Sequence, residues 1–349
     1  MISRNRQIES ARRYHERTAH SPHSVRAGGH SLDWDNKPAP FKIYPDLPAL
    51  TLPRHFPALT ADTLAALSGR GGEDGSLDLD AVQVHASYLL EHGTDALVVA
   101  GSTGESPTLT HKEKLELWRA SVEAAKGKGQ VVAGTGTYST AETVELSHEA
   151  ADCGVDGLLV VTPYYNKPPQ RGLVAHFGKV AESSPLPILM YNIPGRTATR
   201  IEHATLLTLA EIPNIVGVKD STGDLDGISK LVREAPAGFD VYSGDDWATF
   251  ATACLGGAGI VSVASHLVGE RISQMLQLVF DGDVPSARKI HEELSPVFAA
   301  LFITSNPIPL KAALELVGRP AGEPRLPLLP ATPEERETIR QALEDAGLL

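Results

Sequence analysis

The chain has 349 residues, 42% of them hydrophobic, and a formal charge of −12 at pH 7. That content supplies a full globular core, and the length fits one large barrel with additions or two ordinary domains. The acidic balance speaks against a general nucleic-acid binder, and no apolar run reaches membrane-spanning length.

The chain opens on a segment rich in Arg and His. No apolar stretch follows Arg12-Arg13, so neither a secretory nor a twin-arginine signal is expected, and Glu9 and Glu16 count against a transit peptide. The histidines His15, His20, His23 and His30 show no ligand spacing and read as solvated. Prolines crowd the stretch from Pro38 to Pro57, which suits an extended arm and not helix or central strand. Residues 1–57 are therefore expected to form an atypical, extended or disordered N-terminal extension.

From about residue 80 onward, short apolar runs alternate with helical patterns. The runs are Ala96–Ala100, Val131–Gly134, Leu158–Val161, Ile188–Tyr191, Ile215–Val218, Phe239–Tyr242 and Ile260–Val263. Helical patterns follow them, as at Lys112–Ala125, Ala141–Cys153, Gly172–Glu182, Ala204–Ala210, Asp246–Leu255 and Glu270–Phe280. This alternation predicts an α/β protein with a parallel sheet and right-handed crossovers. Polar residues close the runs: Gly101-Ser102-Thr103, Tyr164-Tyr165, Tyr191-Asn192, Lys219-Asp220 and Ser243-Gly244-Asp245. A rim of this kind at the strand C-termini is where a (β/α)8 TIM barrel keeps its chemistry.

A barrel needs an eighth strand. Upstream of Ala96 no comparable apolar run stands out, and Ala65–Gly72 holds glycines and Arg70, poor strand material. At most Leu64–Leu67 is apolar, so the first strand is expected to be atypical: weak or displaced. The expected layout is an extension over 1–57, a barrel over 58–280 and a helical C-terminal appendage over 281–349, with helices at Ser286–Leu294, Pro309–Val317 and Pro333–Ala346. Cys153 and Cys254 lie in no metal spacing and read as buried small hydrophobes of a reduced, cytoplasmic protein.

Lys219 ends an apolar run, which suits a lysine at the tip of a buried strand. In poorly solvated surroundings its amine becomes a nucleophile toward carbonyls. Around it stand Gly101-Ser102-Thr103-Gly104-Glu105-Ser106, Thr162-Pro163-Tyr164-Tyr165-Asn166-Lys167-Pro168, Tyr191-Asn192-Ile193-Pro194-Gly195-Arg196-Thr197, Gly217-Val218-Lys219-Asp220-Ser221, Ser243-Gly244-Asp245-Asp246 and Asn306-Pro307-Ile308-Pro309-Leu310-Lys311. Together, from about residue 73 on, they resemble the dihydrodipicolinate synthase branch of the pyruvate-dependent class I aldolases.

The resemblance implies a Schiff base between Lys219 and pyruvate and condensation with aspartate semialdehyde, giving 4-hydroxy-tetrahydrodipicolinate for lysine and diaminopimelate biosynthesis. It implies no metal and no organic cofactor. Tyr191, Thr103 and Tyr165 (or its neighbour Tyr164) would form a proton relay, with one of the two adjoining tyrosines reaching into a second subunit. Ser102 and Thr103 would bind pyruvate, Arg196 would clamp the carboxylate of aspartate semialdehyde, and Gly244 and Val261 would lend backbone groups. Ser106, His111, Glu142 and Tyr164 match positions of a lysine-feedback pocket. Lys114 and Tyr138 depart from the lysine-sensitive pattern. A homotetramer built from dimers is implied, with neither nucleic acid nor membrane as partner.

Two other outcomes are compatible with Lys219. One is a retro-aldol lyase acting on a 2-keto sugar acid, of the N-acetylneuraminate lyase or keto-deoxy-gluconate aldolase type. The other is an inactive, fused or frameshifted barrel. The second gains weight from Tyr14–Trp34 and Pro40–Leu47, which resemble the N-terminal segment of SagB-type nitroreductases without their flavin-binding domain.

Overall fold

The computed structural model describes the backbone of residues 59–63 and the whole of residues 76–349. The expectations for the extension over 1–57, and for Ala65–Gly72, lie outside the described residues.

Eight parallel strands close a barrel in sequence order: β1 (Leu59–Thr63), β2 (Ala96–Val99), β3 (Gln130–Gly134), β4 (Gly157–Val161), β5 (Ile188–Asn192), β6 (Ile215–Asp220), β7 (Asp240–Ser243) and β8 (Gly259–Ser262). β2 to β8 coincide with the apolar runs, because a strand covered by helices outside and filled by side chains inside is buried on both faces. Val98, Val132, Leu159, Leu189 and Val261 fill the interior from alternating positions.

The first strand is displaced, as expected. It lies upstream of Leu64–Leu67, at Leu59-Thr60-Ala61-Asp62-Thr63, and pairs on both sides. Thr60, Ala61, Asp62 and Thr63 face Ala96, Leu97, Val98 and Val99 of β2, while Leu59, Thr60 and Ala61 face Ile260, Val261 and Ser262 of β8. A five-residue segment with only two apolar side chains does not stand out in a sequence. It is held because β2 and β8 would otherwise each present an unpaired edge of N–H and C=O groups.

The outer layer holds α1 (Leu79–Glu91), α2 (His111–Ala125), α3 (Thr140–Asp152), α4 (Gln170–Ser183), α5 (His203–Ala210), α6 (Leu225–Glu234), α7 (Thr249–Cys254) and α8 (Ser265–Phe280). Their starts are written in the sequence. Asp78, Ser139 and Asp224 accept the first-turn N–H groups of α1, α3 and α6, and Thr110 with Glu113 makes a capping box on α2. The expected helix over Asp246–Leu255 is split, with a 3-10 turn at Asp246–Ala248 preceding α7.

Three further helices, α9 (Val284–Ala300), α10 (Ile308–Leu316) and α11 (Pro333–Asp345), pack after α8. Their ties to the barrel include one buried and one half-buried ion pair. Lys311 of α10 meets Glu105 at 2.6 Å, and Arg325 forms a fork onto Glu113 at 2.5 and 3.1 Å. Hydrogen bonding from Arg325 pulls the Glu113 carboxyl down to about 2. Cys153 is buried as expected, but Cys254 is exposed. It is the last residue of α7, where the chain turns outward through Leu255-Gly256.

Candidate active site

Lys219 is the fifth residue of β6 and only 1% exposed. Its register partners are Tyr191 on β5 and Tyr242 on β7, both buried, so the lysine stands between two aromatic neighbours near the barrel's C-terminal mouth. Its Nζ lies 4.2 Å from the centroid of the Tyr191 ring, over the π face. A cation so placed is attracted by the ring quadrupole.

Gly244 makes room for this lysine. A Cβ at residue 244 would stand 2.0 Å from Ser221 Oγ and 3.1 Å from Lys219 Cγ. Any side chain there would collide with the base of the lysine arm, so glycine at this rim position is a steric requirement of the site.

Three carboxyls follow the strand ends. Burial pushes Asp245 up to about 6, against the opposing pull of the Lys219 ammonium. Asp246 is buried and accepts hydrogen bonds from the Ser262 hydroxyl at 2.5 Å and from the N–H groups of Val263 and Ala264, tying the end of β7 to the end of β8. Asp220 is raised by burial, while Thr222 and Asn192 hydrogen-bond it. Asn192 also accepts from the Ile201 N–H and donates to the Ile201 carbonyl, fixing the loop that carries Arg196. The Lys219 amine is thus buried at the barrel mouth, where its charge is felt by the Asp245 carboxyl that burial raises to about 6. Such a pair can hold and exchange a proton while the amine attacks a carbonyl.

Arg196 sits on a single helical turn, Pro194–Thr197, beyond β5, and its side chain is exposed. One guanidinium N–H donates to the Asn306 carbonyl at 3.0 Å. The Asn306 side chain in turn donates to Thr103 Oγ1 at 2.9 Å. Thr103 is buried after β2, Ser102 is half-buried beside it, and Val261 is buried on β8. The structure thus brings together Lys219 with Tyr191, and Thr103 with Arg196 through Asn306. In the sequence Asn306 stands out only as part of a motif, and nothing local marks a role for Asn192 or Asp245.

Tyr165 stands apart. It is 91% exposed, with a backbone φ of 71°, a left-handed conformation unusual for an aromatic residue. Nearby, Tyr138 and Tyr164 meet edge to face at 5.4 Å. Lys114 is 8% exposed; burial lowers its pKa while Glu142 opposes that shift. His111 contacts Glu149 at 2.5 Å, and Ser106 opens the 3-10 turn before α2. Glu142 is exposed in the first turn of α3. Among the described residues, no group of three or more His, Cys, Asp or Glu is arranged to hold a metal ion.

Known proteins share the family and the fold. The model of the dihydrodipicolinate synthetase family matches residues 60–346, a span that begins inside β1. A 4-hydroxy-tetrahydrodipicolinate synthase from Moorella thermoacetica is 54% identical over 276 residues, covering 79% of this chain and 94% of its own. One from Heliobacterium modesticaldum is 52% identical, with 75% and 88% covered. The crystal structure of the dihydrodipicolinate synthase from Cyanidioschyzon merolae with lysine bound superposes with a TM-score of 0.81 at 42% identity, covering 84% of this chain and 99% of that one. The chloride-inhibited dihydrodipicolinate synthase from Acinetobacter baumannii complexed with pyruvate superposes with a TM-score of 0.81 at 36% identity, covering 84% and 100%.

Proposed function

The chain belongs to the dihydrodipicolinate synthetase family, and on that premise we propose that it is a 4-hydroxy-tetrahydrodipicolinate synthase, condensing pyruvate with aspartate semialdehyde. The observation that carries this reading is the buried Lys219 held over Tyr191 at the barrel mouth.

Lys219 Nζ, once deprotonated, attacks the keto carbon of pyruvate, and water leaves as the imine forms. The protonated imine is the electron sink. It takes up the electron pair of a C–H bond of the pyruvate methyl group while a base of the relay accepts the proton, leaving an enamine whose carbon attacks the aldehyde carbon of aspartate semialdehyde. The amino group of that substrate then attacks the imine carbon, the ring closes and Lys219 departs as the free amine. No metal or organic cofactor is needed in this sequence.

Each step moves protons at Nζ and at the developing hydroxyl. Tyr191, Thr103 and Tyr165 serve as the relay, and Asp245, at about 6, buffers the cleft near neutral pH. Ser102 and Thr103 hydrogen-bond the pyruvate carboxylate, with Gly244 and Val261 supplying backbone groups beside it. Arg196 clamps the carboxylate of aspartate semialdehyde, a planar fork on a planar acid.

The working assembly is a homotetramer built from dimers, acting in the cytoplasm. The exposure and left-handed backbone of Tyr165 support the dimer, since a second copy would cover this ring and use it in the relay. Lys114, Tyr138, Glu142, Tyr164, Ser106 and His111 form the counterpart of the feedback pocket.

The test is product formation. The purified chain is supplied with pyruvate and aspartate semialdehyde, and separately with N-acetylneuraminate or a keto-deoxy-gluconate. Turnover of the first pair alone is expected. Cleavage of a sugar acid without condensation would replace the reading with that of a retro-aldol lyase.

A further inference from the structure

Asn306 lies between the two subsites. It is 4% exposed, its Nδ2 donates to Thr103 Oγ1 at 2.9 Å, and its backbone carbonyl accepts from Arg196 at 3.0 Å. Thr103 and Asn306 are 203 residues apart in sequence. The segment holding Asn306 is anchored on the same loop as Thr103. Lys311, five residues on, pairs with Glu105 at 2.6 Å with both side chains almost fully buried, and the Arg325 N–H donates to Glu105 Oε2 at 2.7 Å. These ties fix the position of Asn306 relative to Thr103 without help from its own side chain.

The Asn306 amide is poorly served as a structural element. Its Oδ1 is buried without a hydrogen-bond partner among the described residues. A buried amide oxygen left in that state is destabilising, and an apolar residue of similar size would avoid the penalty. What the amide provides is direction. A hydroxyl that accepts from an N–H turns its own proton away from that donor.

We infer that Asn306 is a positioning residue for the reaction: its side-chain N–H orients the Thr103 hydroxyl so that Thr103 donates toward the reacting atoms, while its backbone carbonyl sets the Arg196 clamp. This rests on the Schiff-base reading above and extends it. The C-terminal helical segment thereby becomes part of the active site, through one residue that serves both substrates.

The test reverses the hydrogen bond without changing its shape. Asn306→Asp places a carboxylate against Thr103, which then donates to the carboxylate and away from the substrate. Protonation of that carboxyl restores a donor, and burial places its titration above the usual carboxylate range. Two readouts are compared with wild type as a function of pH: kcat for condensation, and the rate of borohydride trapping with pyruvate.

At pH 8 the variant is expected to lose about tenfold in both. The ratio of variant to wild type should climb as the pH falls toward 6. KM for aspartate semialdehyde should barely move, because the backbone carbonyl that holds Arg196 is retained. Asn306→Ala, with no titratable group, should be slow at every pH without recovery. A variant-to-wild-type ratio independent of pH, or Asn306→Ala matching wild type, would overturn the inference. If wild type traps pyruvate but does not condense it, the synthase reading fails by itself, and the trapping ratio still decides the role of Asn306.

Discussion

Tyr191 and Lys219 are register partners on adjacent strands, and the lysine Nζ rests 4.2 Å from the centroid of the tyrosine ring. The ring face and the phenol hydroxyl do different things in this pair. The face receives the ammonium, whereas in the proposed mechanism the hydroxyl moves protons. Tyr191→Phe keeps the first and removes the second. The variant is expected to fold with an unchanged melting temperature and to lose about 10²–10⁴ in kcat, read from condensation kinetics and thermal unfolding together. A kcat close to wild type would remove Tyr191 from the relay.

Arg196 is exposed at the mouth, where its guanidinium donates to the Asn306 carbonyl. A charge-assisted hydrogen bond contributes about 1.5–3 kcal/mol. Arg196→Ala should therefore raise KM for aspartate semialdehyde by about ten- to a hundredfold, with pyruvate trapping largely intact. Steady-state kinetics with each substrate varied in turn separate the two effects. Unchanged aldehyde kinetics would place the clamp elsewhere.

The proposed counterpart of the feedback pocket holds Lys114 and Tyr138. Lys114 is buried near Glu142, and burial already disfavours its charge. A second ammonium arriving in the same pocket adds like-charge repulsion, and the half-exposed Tyr138 ring occupies space beside Tyr164. Free L-lysine is expected to inhibit weakly or not at all, and Lys114→His to increase sensitivity. Inhibition of the wild-type chain by sub-millimolar lysine would show that the pocket accommodates both residues.

Most of the barrel was legible in the sequence, and the reason is burial. β2 to β8 are covered on both faces and read as continuous apolar runs. β1 escaped because Leu59–Thr63 carries only two apolar residues in five, and its place is set by the neighbours it pairs with and not by its own composition. Lys219 and Tyr191 stood out because each lies near a strand end within a local motif, and Arg196 because it follows β5 in the same motif as Tyr191. The contacts of Asn306 were hidden, since its partners Thr103 and Arg196 lie 203 and 110 residues away. Cys254 misled because a cysteine's usual burial says nothing about which side of a short helix it occupies.

The closure by β1 has its own test. Ala61 sits in register with Leu97 on one side and Ser262 on the other. Proline there removes a ladder N–H and its ring crowds the adjacent strand. Ala61→Pro should lower stability by more than about 1 kcal/mol, measured as a drop in thermal midpoint, with a parallel loss of turnover. An apolar rebuild of Ala65–Gly71 should then bring no gain, since the strand position is already filled. A stable and fully active Ala61→Pro variant would mean that the barrel does not depend on this strand.

The identity of the nucleophile decides the whole account, and one measurement reaches it directly. The chain is reduced with borohydride in the presence of pyruvate, digested, and the modified peptide located by mass spectrometry. The adduct is expected on Lys219, and Lys219→Ala should abolish it. A pyruvate adduct mapped instead to Lys167 or Lys311, or trapping that persists in Lys219→Ala, would contradict the mechanism.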